Sequence, residues 1–273
     1  SADGVLDLVS DTELELNATT IDINGAVAMD GAITGATDIT LSGELDAATL
    51  DISGNADIDG TMEADAYTIE GTSFIKLGGT DFTDGLLIGH STTGTLDAAA
   101  RNTGVGIAAL DALTSGDNNT AVGKGAATAV TTGSGHTALG HSALGLASTS
   151  SNNTVVGNNA GRGITTGTGR NTHVGGSSGY YNETGQSNTG VGYNSLLGVS
   201  SNSHNYNSAL GVDSLKVLTT GEYNIALGYT AGNNITSGSG NVVIGVADVS
   251  SATADDQLSI SDGEDGSVVW MTG

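Results

Sequence analysis

The chain has 273 residues, among them 44 Gly, no Pro, no Cys, one Trp and two Phe, and it carries a formal net charge of -24. With only 4% aromatic residues to supply buried area, it must bury many thin layers of small and aliphatic side chains, which favours an elongated object over an ordinary globule. The lack of Cys excludes a disulfide scaffold and a thiolate metal site, and the acidity argues against nucleic acid or anionic lipid as a partner.

Residues 1–73 hold 16 Asp and Glu and no Lys or Arg. No leader with a basic and an apolar region precedes them and no run approaches the roughly 18 apolar residues of a membrane span, so the chain reads as a soluble or mature fragment without membrane insertion. The phrases "IDINGAV" at 21–27, "ITLSGEL" at 39–45 and "ADIDGTM" at 56–62 are offset by 18 and 17, and "LDISGN" at 50–55 returns as "YTIEGT" at 67–72. Apolar residues alternate with polar ones (Ile21 and Ile23, Leu50 and Ile52, Tyr67 and Ile69), the period of a strand with one buried face and acids outward. This predicts an acidic stalk over 1–73. Calcium between its coils is an open alternative to a merely solvated acidic face, although neither the calcium-binding nonapeptide nor an EF-hand loop occurs. Residues 74–100, with "DGLLIGHSTTG", form a junction.

Residues 101–247 are nearly neutral, with five acids and five bases, and consist of nine copies of one phrase. Its marker is the glycine at Gly106, Gly123, Gly140, Gly157, Gly175, Gly192, Gly211, Gly228 and Gly245, spaced by 17, 17, 17, 18, 17, 19, 17 and 17 residues. Four residues before the marker stand Asn102, Asn119, Asn153, Asn171, Asn188, Asn207, Asn224 and Asn241, with His136 as the exception. Immediately before it stand Val105, Val122, Leu139, Val156, Val174, Val191, Leu210, Leu227 and Ile244. A period this short is too small for helix pairs, and Thr and Val in a short run ended by Gly predict one coil of a β-solenoid per copy. Segments such as "GIAALDALTSG" leave a helical turn after the strand open. The Asn column predicts an amide ladder that caps each coil against the next, and the marker Gly a positive φ or a close backbone approach. Residues 248–273 form a C-terminal cap with two short apolar strands, and Trp270 is expected to cover the last layer.

A single thin coil buries little apolar area against the roughly 1–2 kcal/mol per residue that ordering its backbone costs. Three chains whose Val, Leu and Ile columns meet on one axis would supply the missing burial. The expected fold is therefore all-β: an elongated parallel β-solenoid or triple-stranded β-helix-like homotrimer, with short turns or helical turns between strands.

The "NTAVG…AL…TTG" copies resemble those of bacteriophage tail fibres, and more distantly the head repeats of trimeric autotransporter adhesins; "DIDGTMEADAYTIEGTS" at 57–73 is also similar to tail-fibre shafts. The resemblance implies a homotrimeric, non-enzymatic fibre of a virion, extracellular, that meets other fibre or baseplate proteins and holds or presents a surface for a host glycan or protein. Many such fibres carry a C-terminal chaperone that cleaves itself away after trimerisation; no segment of this chain resembles one, and a longer gene product that has one would place a processing point near Gly273.

Few motifs suggest chemistry. "GHSAL" at 140–144 has Leu144 where a nucleophile elbow needs Gly, which argues against Ser142 and His141 as a hydrolase pair. "GRGITTG" and "GKGAAT" lack the P-loop spacing. His136 and His173, both inside the strand phrase, are the candidates for an ion on a threefold axis; no other metal or cofactor is expected. Tyr180, Tyr181, Tyr193 and Tyr206 are candidate sugar-stacking residues, with packing between coils as the alternative. A cell-surface adhesin, and a monomeric solenoid that binds ice through threonines such as Thr131 and Thr132, are the rival functions.

Overall fold

The computed structural model describes residues 67–69, 72–77, 82–88, 96–201, 203–262 and 264–273. The stalk repeats expected between residues 1 and 66 lie outside the described residues. The described elements are all strands: β1 (Tyr67–Ile69), β2 (Thr72–Leu77), β3 (Phe82–Thr83), β4 (Leu86–Ile88), β5 (Ala99–Ala100), β6 (Thr103–Val105), β7 (Thr120–Val122), β8 (Thr137–Leu139), β9 (Thr154–Val156), β10 (Thr172–Val174), β11 (Thr189–Val191), β12 (Ser208–Leu210), β13 (Ile225–Leu227), β14 (Val242–Ile244), β15 (Leu258–Ser261) and β16 (Val269–Thr272). Strands β4, β6 to β14 and β15 form a parallel stack of eleven rungs joined by ten turns of the chain. The solenoid thus starts one rung earlier than the nine copies suggest. The "LLI" of β4 pairs Leu86, Leu87 and Ile88 with Thr103, Gly104 and Val105.

Every rung keeps one register: Thr120, Ala121 and Val122 lie beside Thr137, Ala138 and Leu139, and Ile225, Ala226 and Leu227 beside Val242, Val243 and Ile244. The middle residue of each three-residue strand from β6 to β14 lies on the inner face and the outer two on the face away from the interior. The marker glycine ends the strand at φ between 127° and 142° in the first eight copies and at 99° in Gly245. At Gly123 a Cβ would stand 2.6 Å from the Gly140 carbonyl oxygen, so both expected reasons for glycine hold together.

No helix follows the strand among the described residues. The chain instead makes tight turns in which Leu110, Ala127, Leu144, Leu196 and Leu215 take φ between 47° and 58°, a column shared with Gly161, Gly179 and Gly232. A left-handed leucine costs about 1 kcal/mol of backbone strain. Burying the side chain completely, as at Leu110, Leu144 and Leu196, returns about 2 kcal/mol. Backbone bonds between coils continue round the turns, as in Leu110 N–H to Ala126 O at 3.1 Å and Leu144 N–H to Ala160 O at 3.0 Å.

The Asn column forms the expected ladder, and its atoms can be followed one by one. The backbone N–H of Asn119 donates to Asn102 Oδ1 at 2.9 Å, and the pattern repeats to Asn241 and finally to Gln257, whose N–H donates to Asn241 Oδ1 at 2.9 Å. The amide nitrogen donates across the same coil, from Asn102 to Gly116 O, Asn119 to Gly133 O and Asn224 to Gly238 O. His136 breaks the pattern in sequence and keeps it in structure. Its Nδ1 accepts the Asn153 N–H at 3.3 Å while its Nε2 bonds Ser150 O at 2.8 Å, so the ring is the Nε2–H tautomer and imitates an amide. A second ladder runs through Thr114, Thr131, Ser148 and Thr165, each hydroxyl donating to the carbonyl of the next coil.

Both ends depart from the parallel pattern. β1, β2 and β4 pair antiparallel, and β16 pairs antiparallel with β15, covering the outer edge of the last parallel rung. Trp270 does not cover the final layer as expected. It is 69% exposed on β16, because the closing element is the strand's backbone and not the indole.

Candidate functional site

Three features stand out against the regular coils: an apolar stripe on the outer strand face, a groove beside the two coils whose spacing changes, and a polar break in the interior at the fifth and sixth coils.

The stripe is the Val, Leu and Ile column itself. Inside each coil the burial is done by small residues such as Ala121, Ala138 and Val155, together with Leu113, Val130, Ile164, Leu218 and Ile235 from the turns. Outside, Leu139, Leu210 and Leu227 are 37%, 51% and 44% exposed. Val105, Val156, Val174, Val191 and Ile244 are partly exposed in the same column. Beside them runs a second outward column of Thr103, Thr120, Thr137, Thr154, Thr172 and Thr189, which changes to Ser208, Ile225 and Val242 in the last three copies. That change leaves a shallow, nearly apolar concavity of about 280 Å³ among Val191, Leu210, Ile225 and Leu227.

The groove, of about 310 Å³, is lined by Leu146, Arg162, Tyr180, Tyr181, Glu183 and Ser200. It lies where the repeat lengthens, at the 18-residue step from Gly157 to Gly175 and the 19-residue step from Gly192 to Gly211. Arg162 Nη1 donates to Tyr180 Oη at 3.0 Å and its guanidinium lies 5.8 Å from the centre of that ring. Tyr180 and Tyr181 meet edge to face with centroids 4.5 Å apart. Glu183 Oε1 accepts the Ser201 N–H at 2.9 Å, tying the extra residues of the long coil to the groove. Of the four candidate tyrosines, the fold brings only Tyr180 and Tyr181 together. Tyr206 stacks on Tyr223 with centroids 4.9 Å apart, a contact between coils, and Tyr193 lies over Gly176.

The interior break separates two apolar clusters, one running from Leu87 to Ile164 and the other from Leu196 to Val249. Between them lie His173, Ser178, Asn182, Ser195 and His204, all fully buried. His173 takes the inward strand position that Gly, Ala or Val fills in the neighbouring rungs, and its ring occupies the place of a Cβ at Gly179. Burial, and secondarily the neighbouring His204, pushes the His173 pKa down to about 3; burial pushes His204 to about 4 and lowers His136 also. All three rings are neutral at pH 7. The two histidines expected on a shared axis are thus enclosed within the protomer's own interior, where three symmetry-related copies cannot meet. His204 was not singled out from sequence, because it sits in the long coil where the column count is lost.

Among the described residues no group of three or more His, Cys, Asp and Glu could hold a metal ion, and no helix is long and apolar enough to cross a membrane. His141 and Ser142 lie in a surface turn, where His141 Nδ1 faces Asn158 Nδ2 at 3.3 Å. Comparison with protein families, with curated proteins and with solved structures finds no match to this chain.

Proposed function

We propose that the chain is the body of a homotrimeric, non-enzymatic fibre, a tail fibre of a phage virion, that holds or presents a surface for a host glycan or protein. The observation that carries this reading is the outward stripe. Eleven rungs in one register leave an unbroken column of Val, Leu and Ile half in solvent. An apolar column of that length marks an interaction surface. Three chains placed with their stripes on one axis would bury it, repeating the same contact at every rung. Parallel coils about 4.8 Å apart give the body its length and stiffness, and repetition along a fibre turns weak single contacts into avidity. The groove at Arg162, Tyr180 and Tyr181 is where such a body would offer a sugar both an aromatic face and charged hydrogen-bonding partners. Extracellular placement, and contact with other fibre or baseplate proteins, belong to the same proposal.

The stripe also favours a second reading. Six successive rungs present Thr and an aliphatic residue side by side on one flat face, an array suited to ordering water on ice. Light scattering behind a sizing column separates the two. A mass near three times 26.8 kDa supports the fibre, and the double substitution Leu210→Glu, Leu227→Glu is then expected to weaken or break the assembly. A monomer with thermal hysteresis in dilute solution would replace the fibre with the ice-binding solenoid.

A further inference from the structure

The interior break at the fifth and sixth coils leaves three buried polar atoms without a protein partner: His173 Nε2, His204 Nε2 and Asn182 Nδ2. Elsewhere along the interior, among the described residues, the seats are filled by apolar side chains or by polar groups whose bonds are made. The residues that carry them are neighbours: Asn182 Oδ1 accepts the backbone N–H of His204 at 3.2 Å, and the backbone N–H of Asn182 reaches Gly179 O at 3.4 Å, beside the His173 ring.

Their hydrogen-bond character follows from the atoms on the other side of each ring. Ser178 Oγ gives its proton to Gly190 O at 3.1 Å, so the oxygen that faces His173 Nδ1 at 3.4 Å is an acceptor and that nitrogen carries the ring proton. His204 Nδ1 faces Asn188 Oδ1 at 3.5 Å, again an acceptor, so its proton is on Nδ1 too. Both Nε2 atoms are therefore lone pairs. Asn182, its carbonyl already engaged by His204, offers N–H groups. As the side chains stand, none of the three atoms bonds another, and burying each unpaired costs of order 1–3 kcal/mol.

We propose that these three groups form a built site for one internal water molecule, held between the two halves of the apolar core. The water donates one proton to His173 Nε2 and the other to His204 Nε2, and accepts from Asn182 Nδ2. Three polar partners are the usual complement of a buried water. A metal cation fits the same place poorly: no carboxylate balances it among the described residues of the cluster, and the amide presents hydrogens. Room comes from Gly190, which has no side chain at the inward position beside the His173 ring, and from Val199, which turns outward to 41% exposure in the long coil. The extra residues of that coil bring in His204, so the irregular spacing and the polar layer have one origin.

Two measurements on the intact chain test this. Long-range proton–nitrogen NMR correlations should show His173 and His204 both protonated on Nδ1, in contrast to His136, which should be protonated on Nε2. A crystal structure should show one spherical peak about 2.7–3.1 Å from each of the three atoms, without anomalous signal. A proton on Nε2 of either ring, an empty site, or a scatterer about 2.0–2.1 Å from the imidazoles with a metal's anomalous signal would each overturn the proposal.

Discussion

The coils from Gly106 to Gly157 and those from Gly175 to Gly211 follow the same rules with different outcomes. In the first group every inward position is Gly, Ala or Val, every turn buries Leu, Val, Ala or Ile, and the outside offers only the stripe. In the second, the interior turns polar at His173, Asn182 and His204, and at its boundary with the first the outside gains a groove in which Arg162 of the Gly157 coil meets Tyr180, Tyr181 and Glu183 of the Gly175 coil. The backbone ladder and the Asn ladder pass through both without a break. A solenoid held rung to rung by ladders at its edge tolerates a local change of filling, because each coil answers only to its neighbours. The filling changes close to where the spacing departs from 17 residues.

The sharpest way to break the regular half is to add one methyl group to a marker glycine. Gly123→Ala places a Cβ 2.6 Å from the Gly140 oxygen at φ 131°, where an L-residue is strained in any case. A loss of about 3 kcal/mol or more is expected, read from the denaturant midpoint. Next comes the ladder that both halves share. Asn224→Leu leaves the Asn241 N–H and the Gly238 carbonyl without their partners, and about 2–4 kcal/mol should be lost. If Asn224→Leu proves nearly neutral, the coils are held by packing alone and the ladder is incidental.

Legibility in the sequence follows the same division. The period, the strand in each copy, the marker glycine and the Asn column were readable because each is a repeated identity, and a repeated identity in a stack is a repeated environment. The inward and outward senses were not. Val122 and Val130 look alike in the sequence, yet Val130 is wholly buried and Val122 is 39% exposed, since only the pleat of the strand decides it. The turn column escaped notice because Leu110, Ala127 and Gly161 share a left-handed φ and not a residue type. Asn182 was hidden for the opposite reason. Asn is so common in the ladder that one standing where Leu113, Val130 and Ile164 stand in other copies drew no attention, although counting along the column finds it.

Acid should separate the two halves. His173 and His204 are neutral in the folded chain with pKa values held near 3 and near 4, whereas in the unfolded chain they titrate near 6.5. Between those values the unfolded state binds more protons, so stability is whole above about pH 6.5 and falls as the pH drops toward 4. At pH 5 the two rings together should cost about 4 kcal/mol. Hydrogen exchange in the fifth and sixth coils is expected to rise at pH 5 before exchange in the seventh to ninth coils does. Uniform exchange along the chain would mean that the polar layer is not the acid-sensitive element.

The smallest effect isolates the one histidine outside that layer. His136→Asn restores the ladder residue found in the other eight copies, with Oδ1 in place of Nδ1 to accept the Asn153 N–H and Nδ2 in place of Nε2–H to reach Ser150 O. At pH 7.5 the substitution should change stability by less than about 1 kcal/mol, since each hydrogen bond lost is one regained. Below pH 6.5 the variant should be the more stable of the two, because burial lowers the His136 pKa and an amide has no proton to gain in the unfolded chain. A large loss at pH 7.5 would show that the ring is valued there for its packing, and that the imidazole does more in this coil than stand in for an amide.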